Sequence, residues 1–312
     1  MRRAATIVVL LAACASAGQA EEPVSGDTSA VPQQSTPSVA TITPGSGSES
    51  PPAIAEPSST AATTTSTAAA TTTTTISAFA RPEWLGTRTL PLRDDGFGEV
   101  QPTPDELRGR SFETLDLLPA PTGDAFAAVI SPVPDEVLAR STWREECPVQ
   151  PDELRYLLMT HWGFDGEVHT GEMIVNAAAA DDVVWVFEQL FDAAFPIEQM
   201  RVIAAAELDL PPTGDFNDTT SFVCRPVVTS ASTWSQHAFG LAVDINPFHN
   251  PYQKGDLVLP ELASHYLDRR LGEPGMVVAG GVVAQAFAEI GWGWGGNWRS
   301  LDDYMHFSRN GR

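Results

Sequence analysis

Hydrophobic and polar positions follow a helical period in two parts of the chain. From Val183 to Ala194 apolar residues recur three and four positions apart, and Asp181 and Asp182 precede them. Acidic side chains are favoured at a helix N-terminus, so we predict a helix that begins there and ends before Pro196. A second pattern of this kind, in VVAGGVVAQAFAEIGW, predicts a helix that ends near Gly291.

Other segments have the composition and spacing of strands. Strands are predicted for LRYLLMTHWGF, GEMIVNAA and QMRVIAAAEL, for residues 241–246 and, near the C-terminus, for YMHF. In the last of these, Met305 and Phe307 should face the core and His306 a cleft, with an exposed tail from Arg309 onward. Because strands and helices do not alternate regularly, the chain should be α+β, with a small mainly antiparallel sheet flanked by helices.

The first residues are predicted to be a targeting segment. A short basic start, an apolar run and small residues make residues 1–20 typical of a secretory signal, too short to span a bilayer. The sequence LAAC, which ends at Cys14, also resembles the bacterial lipobox, in which the cysteine is lipidated. Cleavage after Ala17 or Ala20 is the alternative. Both predict an exported protein.

Two segments without a core pattern follow. Residues 21–76 consist mainly of Thr, Ser, Ala and Pro, and they cannot bury enough surface to offset their ordering entropy. We predict a disordered stalk there. Residues 77–146 are rich in proline and predict an extended arm, with one or two short helices, that packs on the core. The core domain itself is predicted for residues 147–312.

Charge and cysteine content narrow the possible partners and the compartment. The formal net charge of −22 argues against nucleic acid as a partner, because binding it needs a basic surface. Once Cys14 is removed or lipidated, Cys147 and Cys224 remain. An even pair in an oxidising compartment predicts a disulfide.

The stretch WSQHAFGLAVDINP, residues 234–247, places the carboxylate of Asp244 in an apolar run. A buried charge needs a partner, and the candidates are a nearby arginine or a metal shared with His237. On an uninterrupted strand, an odd separation would put these two side chains on opposite faces. They can converge only if the chain turns between them, and Gly240 is where it could turn.

A third ligand is available near the C-terminus, where His306 follows Asp303 by three positions. Two histidines and one aspartate around zinc leave a fourth position for water, which is typical of a catalytic site. Such a site needs a base, and Asp303 is suited to take a proton from that water.

Three motifs together resemble the zinc D-alanyl-D-alanine carboxypeptidase superfamily, which includes the vancomycin-resistance D,D-peptidases and the L-alanyl-D-glutamate endopeptidases. The motifs are Ser235-x-His237-x-x-Gly240-x-Ala242-x-Asp244, Trp294-Gly-Gly-x-Trp298 and Asp303-x-x-His306. The resemblance covers roughly Cys147 to Phe307. The tryptophan block and an aspartate as base are closer to the endopeptidase branch.

The resemblance implies roles for these residues. His237, Asp244 and His306 would bind Zn²⁺, and Asp303 would be the general base. An arginine that stabilises the oxyanion is also implied, and Arg225 occupies the corresponding place, a structural ion pair being the alternative.

Further implications concern substrate binding and fold. Ser235, Trp294 and Trp298 are candidates for substrate binding, although both tryptophans are equally suited to the core. The fold implied is the one that this superfamily shares with the zinc domain of hedgehog proteins.

We therefore expect an exported zinc metallopeptidase that hydrolyses peptidoglycan stem peptides, as an L-Ala-D-Glu endopeptidase or a D-Ala-D-Ala carboxypeptidase. A non-catalytic zinc-containing module that binds the cell wall or a protein is the alternative, against which Asp303 argues. The protein should be a monomer in the cell wall, or a lipoprotein anchored to the membrane through Cys14.

Overall fold

The computed structural model describes residues 80–228 and 230–312, so the predicted signal, lipobox and stalk lie outside the described residues. The described part is α+β, with few helices and small, mostly antiparallel sheets, as predicted. None of its helices combines the length and the apolar character needed to cross a bilayer.

Three α-helices and seven 3₁₀ turns are present in the described part. The α-helices are α1 (Asp135–Arg140), α2 (Ala180–Asp192) and α3 (Val282–Glu289). The 3₁₀ turns are Asp105–Leu107, Pro151–Glu153, Ala177–Ala179, Ala205–Asp209, Gln236–Phe239, Ser264–Leu267 and Gly295–Asn297. The two long predicted helices are thus confirmed, but α3 is shorter than its pattern because Gly280 (φ 72°) and Gly281 precede it in a turn.

Thirteen short strands form five small sheets in the same residues. The strands are β1 (Ala128–Ser131), β2 (Leu154–Trp162), β3 (Val168–Asn176), β4 (Gln199–Met200), β5 (Asp218–Thr219), β6 (Pro226–Val227), β7 (Ser230–Trp234), β8 (Ala242–Asp244), β9 (Tyr252–Lys254), β10 (Leu257–Leu259), β11 (Gly293–Trp294), β12 (Asp302–Asp303) and β13 (His306–Ser308). Their orders are β1-β2-β3, β10-β9-β12, β11-β13-β8, β4-β5 and β6-β7, and β4-β5 is parallel.

Several strand predictions need correction. The segment QMRVIAAAEL is a strand only at Gln199–Met200 and continues into the 3₁₀ turn Ala205–Asp209. The strand predicted for residues 241–246 is limited to Ala242–Asp244, and the final strand begins at His306. The residues at which such short strands begin and end depend on the strands they pair with. The local sequence pattern carries no information about those partners.

The main core lies between α2, α3 and the sheets around them. Phe307 of β13 is fully buried, and its ring stacks on Phe287 of α3 with centroids 4.1 Å apart. Met305 is also buried, as predicted, but in a smaller separate cluster with Tyr252 and Leu257. Burying one such side chain contributes roughly 1.5–3 kcal/mol. His306 lies between these two packed residues in sequence, so its backbone is fixed on both sides.

The predicted exposed tail is only partly exposed. Arg309 is exposed, but its N–H donates to the Leu241 carbonyl at 3.0 Å. The Gly311 carbonyl accepts from Trp298 Nε1 at 2.8 Å. The side chains of Arg309, Asn310 and Arg312 are exposed as expected, but backbone hydrogen bonds attach the tail to Leu241 and Trp298.

Residues 80–146 make contacts with later parts of the chain. Leu107 is fully buried in a cluster with Phe248 and Tyr266. The guanidinium of Arg110 forms a buried ion pair with Glu198 at 2.7 Å. Strand β1 pairs with β2, which the sequence patterns did not predict, because all but the last of its side chains are exposed.

The predicted disulfide is confirmed. Cys147 and Cys224 are bonded, with Cα atoms 5.9 Å apart and a sequence separation of 77. In the chain-entropy account, such a link stabilises the fold by roughly 4 kcal/mol. It connects the segment before β2 to the residue that precedes Arg225.

Candidate metal centre and catalytic residues

A single turn of 3₁₀ helix, Gln236–Phe239, positions His237. The Ser235 hydroxyl caps this turn by accepting a hydrogen bond from the His237 N–H at 3.3 Å. Gly240 ends the turn with a left-handed φ of 65°, and a Cβ there would lie 2.5 Å from the Asn176 nitrogen. The chain therefore reverses at Gly240, as predicted, and enters β8.

The other two predicted ligands lie on neighbouring strands. Asp244 of β8 is paired directly with His306 of β13, so both side chains lie on the same face of the sheet. The Asp244 carboxylate reaches both histidines, with Oδ1 3.1 Å from His306 Nδ1 and Oδ2 3.1 Å from His237 Nε2. The two imidazole nitrogens are also 3.1 Å apart.

The donor set fits a zinc ion. Two ligand atoms at the usual zinc distances of about 2.0–2.1 Å and a tetrahedral angle would be roughly 3.3 Å apart, close to the separations between these three side chains. His237 Nδ1 donates to the Ser221 carbonyl at 2.6 Å, which leaves Nε2 free to bind a metal. His237, Asp244 and His306 thus form a candidate metal site, and a tetrahedral zinc ion held by them would keep one position for water.

The electrostatics of Asp244 match this assignment. Burial alone would raise the pKa of the carboxyl, but His237 and His306 outweigh it and lower the pKa below its usual range. Among the described residues, no arginine lies within 4.0 Å of Asp244. The alternative of an arginine partner therefore has no support in the described part.

Asp303 of β12 carries a free carboxylate atom beside the ligands. Its Oδ1 is buried without a hydrogen-bond partner. Burial, with the nearby charge of Asp244, raises the pKa of Asp303 to about 7, against the opposing effects of His306 and Arg225. Asp302 is the neighbouring residue on the same strand, so its side chain points to the opposite face. The charges of His306 and Asp244 act on the pKa of Asp303, which is consistent with its lying on the ligand side.

Arg225 lies close enough to Asp303 to influence the pKa of that carboxyl. Its Nη1 donates to the Pro226 carbonyl at 3.3 Å. Within residues 80–228 and 230–312, no carboxylate lies within 4.0 Å of its guanidinium. The structural ion pair considered from the sequence has no support there, and the role at the oxyanion stays a prediction.

The three predicted substrate-binding residues are in different environments. Ser235 is buried and caps the turn of His237. Trp294 is buried in the main core, where its Nε1 donates to the Tyr304 carbonyl. Trp298 is half-buried, and its ring centroid is 5.5 Å from that of His306. Of the three, Trp298 has the most suitable position, and all three roles stay predictions.

Two residues around the site were missed from the sequence. Ser221 orients His237 through its backbone carbonyl, which any residue type could supply, so no sequence signal marks it. Tyr252 of β9 is paired directly with Asp303 of β12. The pairing of two such short strands could not be read from either segment alone.

Comparison with known families supports part of the predicted resemblance. Residues 229–309 match the family model described as D-alanyl-D-alanine carboxypeptidase. The match contains His237, Asp244, Asp303 and His306, and it confirms the resemblance for this segment. The predicted resemblance began at Cys147 and included Arg225. The matched segment begins after both, at residue 229. No curated protein and no solved structure matches the chain.

Proposed function

We propose that this protein is an exported zinc peptidase that hydrolyses a peptide bond in peptidoglycan stem peptides. One observation carries the proposal: within the segment that matches the carboxypeptidase family, three candidate ligands converge, and Oδ1 of the nearby Asp303 is buried without a partner. Stem peptides contain D-amino acids, which most ordinary proteases do not accept. Their hydrolysis therefore requires a dedicated peptidase.

His237, Asp244 and His306 would hold the zinc ion. When bound, zinc would supply Lewis-acid polarisation of the peptide carbonyl and a water that is activated near neutral pH. The Ser221 carbonyl keeps the His237 ring in the orientation that this binding requires.

Asp303 would move the proton. Its carboxylate takes a proton from the attacking water and later returns it to the leaving amine. A cation held by the neighbouring ligands favours the charged form of a carboxyl. A filled site would therefore lower the pKa of Asp303 from its raised value and favour the carboxylate form that accepts a proton.

Arg225 would stabilise the oxygen of the scissile carbonyl as it becomes negative. Its guanidinium has several N–H donors, and no carboxylate within 4.0 Å in the described part occupies them. Arg225 precedes the metal motif in sequence and lies close enough to Asp303 to influence its pKa. Its guanidinium would therefore act on the scissile carbonyl that the attacking water approaches.

The scissile bond is either L-Ala-D-Glu or D-Ala-D-Ala. The tryptophan block and the aspartate base favour the endopeptidase branch, and the matched family is described by the carboxypeptidase activity. We also propose the fold of that superfamily, shared with the zinc domain of hedgehog proteins. A module that only binds would gain nothing from a carboxylate oxygen, Asp303 Oδ1, that is buried without a partner, because such an atom destabilises the fold.

Location and partners are part of the proposal and rest on the sequence. Residues 1–20 would direct export, and Cys14 would anchor the protein to the membrane if it is lipidated. Otherwise the protein would be released into the cell wall. The partner would be the stem peptide, without nucleic acid, and the protein would act as a monomer.

The test is hydrolysis of purified muropeptides with pentapeptide stems by zinc-loaded protein, with the products identified by mass. Loss of one terminal alanine indicates a carboxypeptidase, and release of the peptide beyond L-Ala indicates an endopeptidase. Asp303→Asn should keep zinc but lose about 10²–10⁴-fold in turnover. Asp302→Asn, the adjacent carboxylate on the opposite face, is the matched control and should remain active.

Two results would contradict the proposal. Hydrolysis by Asp303→Asn near the wild-type rate would exclude Asp303 as the group that moves the proton, and with it the proposed mechanism. Binding of muropeptides by the wild-type protein without any cleavage would favour the binding module instead.

A further inference from the structure

Buried polar atoms without partners are concentrated around the proposed zinc site. Of eight such side-chain atoms in the described residues, four belong to residues at this site: Ser221 Oγ, Tyr252 Oη, Asp303 Oδ1 and His306 Nε2. Asp303 has an assigned role, and the roles of His306 and Ser221 rest on other atoms, Nδ1 and the backbone carbonyl, rather than on the unpartnered ones. The hydroxyl of Tyr252 has no assigned role.

The strand register fixes Tyr252 beside Asp303. The two residues are directly paired between β9 and β12, so their side chains share a face. Strand β9 is also paired on its other side, where Leu259 of β10 lies opposite Tyr252. The Tyr252 ring is 7% exposed and packs with Met305, the residue before His306. The side chain is therefore held close to Asp303, whose charge acts on the Tyr252 hydroxyl.

The hydroxyl is a neutral donor at physiological pH. Burial, together with the negative charge of Asp303, raises the pKa of Tyr252 above its ordinary value. The group therefore keeps its proton and can donate one hydrogen bond.

Packing alone does not explain a tyrosine at this position. A buried hydroxyl without a partner costs folding free energy, and phenylalanine would fill the same space without that cost. Tyr266 shows the contrasting case: its hydroxyl accepts from the Arg110 N–H at 2.8 Å and donates to the Leu107 carbonyl at 3.3 Å. Tyr266 thus has a structural hydroxyl, whereas Tyr252 has one that the fold does not use.

We propose that the Tyr252 hydroxyl binds the peptide substrate, donating a hydrogen bond to an oxygen of the peptide beside Asp303. This inference rests on the proposed peptidase function. A stem peptide presents carbonyl and carboxylate oxygens along its length, and a fixed neutral donor next to the base would align the scissile bond for attack.

The experiment compares Tyr252→Phe with Tyr266→Phe in the full-length zinc-loaded protein. Tyr252→Phe should lower kcat/KM for the muropeptide about tenfold, the effect of one lost hydrogen bond, with full zinc content and an equal or higher melting temperature. Tyr266→Phe should do the reverse, lowering the melting temperature at unchanged kcat/KM. In an Asp303→Asn background, calorimetry should show weaker binding of the uncleaved peptide when Tyr252→Phe is added.

The possible failures are distinguishable. If kcat/KM and peptide affinity do not change in Tyr252→Phe while the wild type cleaves, only the inference about Tyr252 is overturned. The same holds if Tyr252→Phe loses zinc or melts at a lower temperature, because its role is then structural. If the zinc-loaded wild type neither cleaves nor binds muropeptides, the proposed function fails together with the inference.

Discussion

Asp244 and His306 face each other across the β8–β13 pair, with Asp244 Oδ1 3.1 Å from His306 Nδ1. They are 62 positions apart in sequence, and His237 reaches them from a turn rather than from a strand. A slip of one residue in this pair would send His306 to the opposite face. The register of two three-residue strands therefore determines whether the metal site exists.

We expect one zinc ion per chain, lost in each of the variants His237→Ala, Asp244→Ala and His306→Ala. With only three protein ligands, removal of one leaves too few to retain the ion. Elemental analysis of purified protein measures this directly. His265→Ala, a histidine of the 3₁₀ turn Ser264–Leu267 away from the ligand set, should retain zinc. Full zinc content in His306→Ala would remove His306 from the set.

The candidate site was predictable from the sequence because its signals are local. His237 and Asp244 lie within eight residues, and Asp303 and His306 within four, so type and spacing identify them before any pairing is known. The turn at Gly240 was predictable for the same reason. Ser221 and Tyr252 were not, because each acts through a contact with a distant segment.

The fold was predictable only where long segments have a clear period. Strands β2 and β3 and helix α2 are each nine or more residues long and were predicted, although β3 begins at Val168, before the predicted segment, and its pairing with β2 was not predicted. The remaining strands have five residues or fewer, and their limits depend on pairing partners elsewhere in the chain. The sequence consequently predicted one sheet where five small ones are present.

Phe307→Ala should lower the free energy of unfolding by about 3–5 kcal/mol. The ring is fully buried in the main core and stacks on Phe287, so its removal leaves a cavity next to His306. Met305→Ala, in the smaller cluster, is the comparison and should cost less. Urea unfolding measures both. An unchanged midpoint for Phe307→Ala would mean that β13 does not present this face to the core.

His169 should make stability depend on pH. Burial lowers the pKa of His169, but hydrogen bonds to Asp116 at 2.8 Å and Asp165 at 3.1 Å outweigh it and raise the pKa above its ordinary value. The neighbouring ring of His161 stays neutral, because burial lowers its pKa to about 4. The stabilisation by protonated His169 is therefore complete below about pH 6.5, the unfolded value, and is lost as pH rises through the folded pKa.

Melting temperatures of the wild type and His169→Gln, measured between about pH 6 and pH 9, test this. The melting temperature of the wild type should exceed that of His169→Gln most at the acidic end of this range, and the difference should shrink as pH rises. Asp116→Asn keeps the shape of the hydrogen-bond partner of His169 but removes its charge. This variant should therefore reduce the melting-temperature difference at acidic pH. A difference that does not vary with pH would contradict the assignment.

Deletion of residues 309–312 should damage the site, although the side chains of Arg309 and Asn310 are exposed. The deletion removes the Gly311 carbonyl that accepts from Trp298 Nε1, and the Trp298 ring lies 5.5 Å from His306. Trp298 is half-buried, so its unpaired donor should cost about 1 kcal/mol, and the deletion should lower the melting temperature and reduce muropeptide turnover. The double variant Arg309→Ala/Asn310→Ala, which keeps the backbone, is the matched control and should resemble the wild type. If the deletion leaves melting temperature and turnover unchanged, the tail does not hold Trp298 in place.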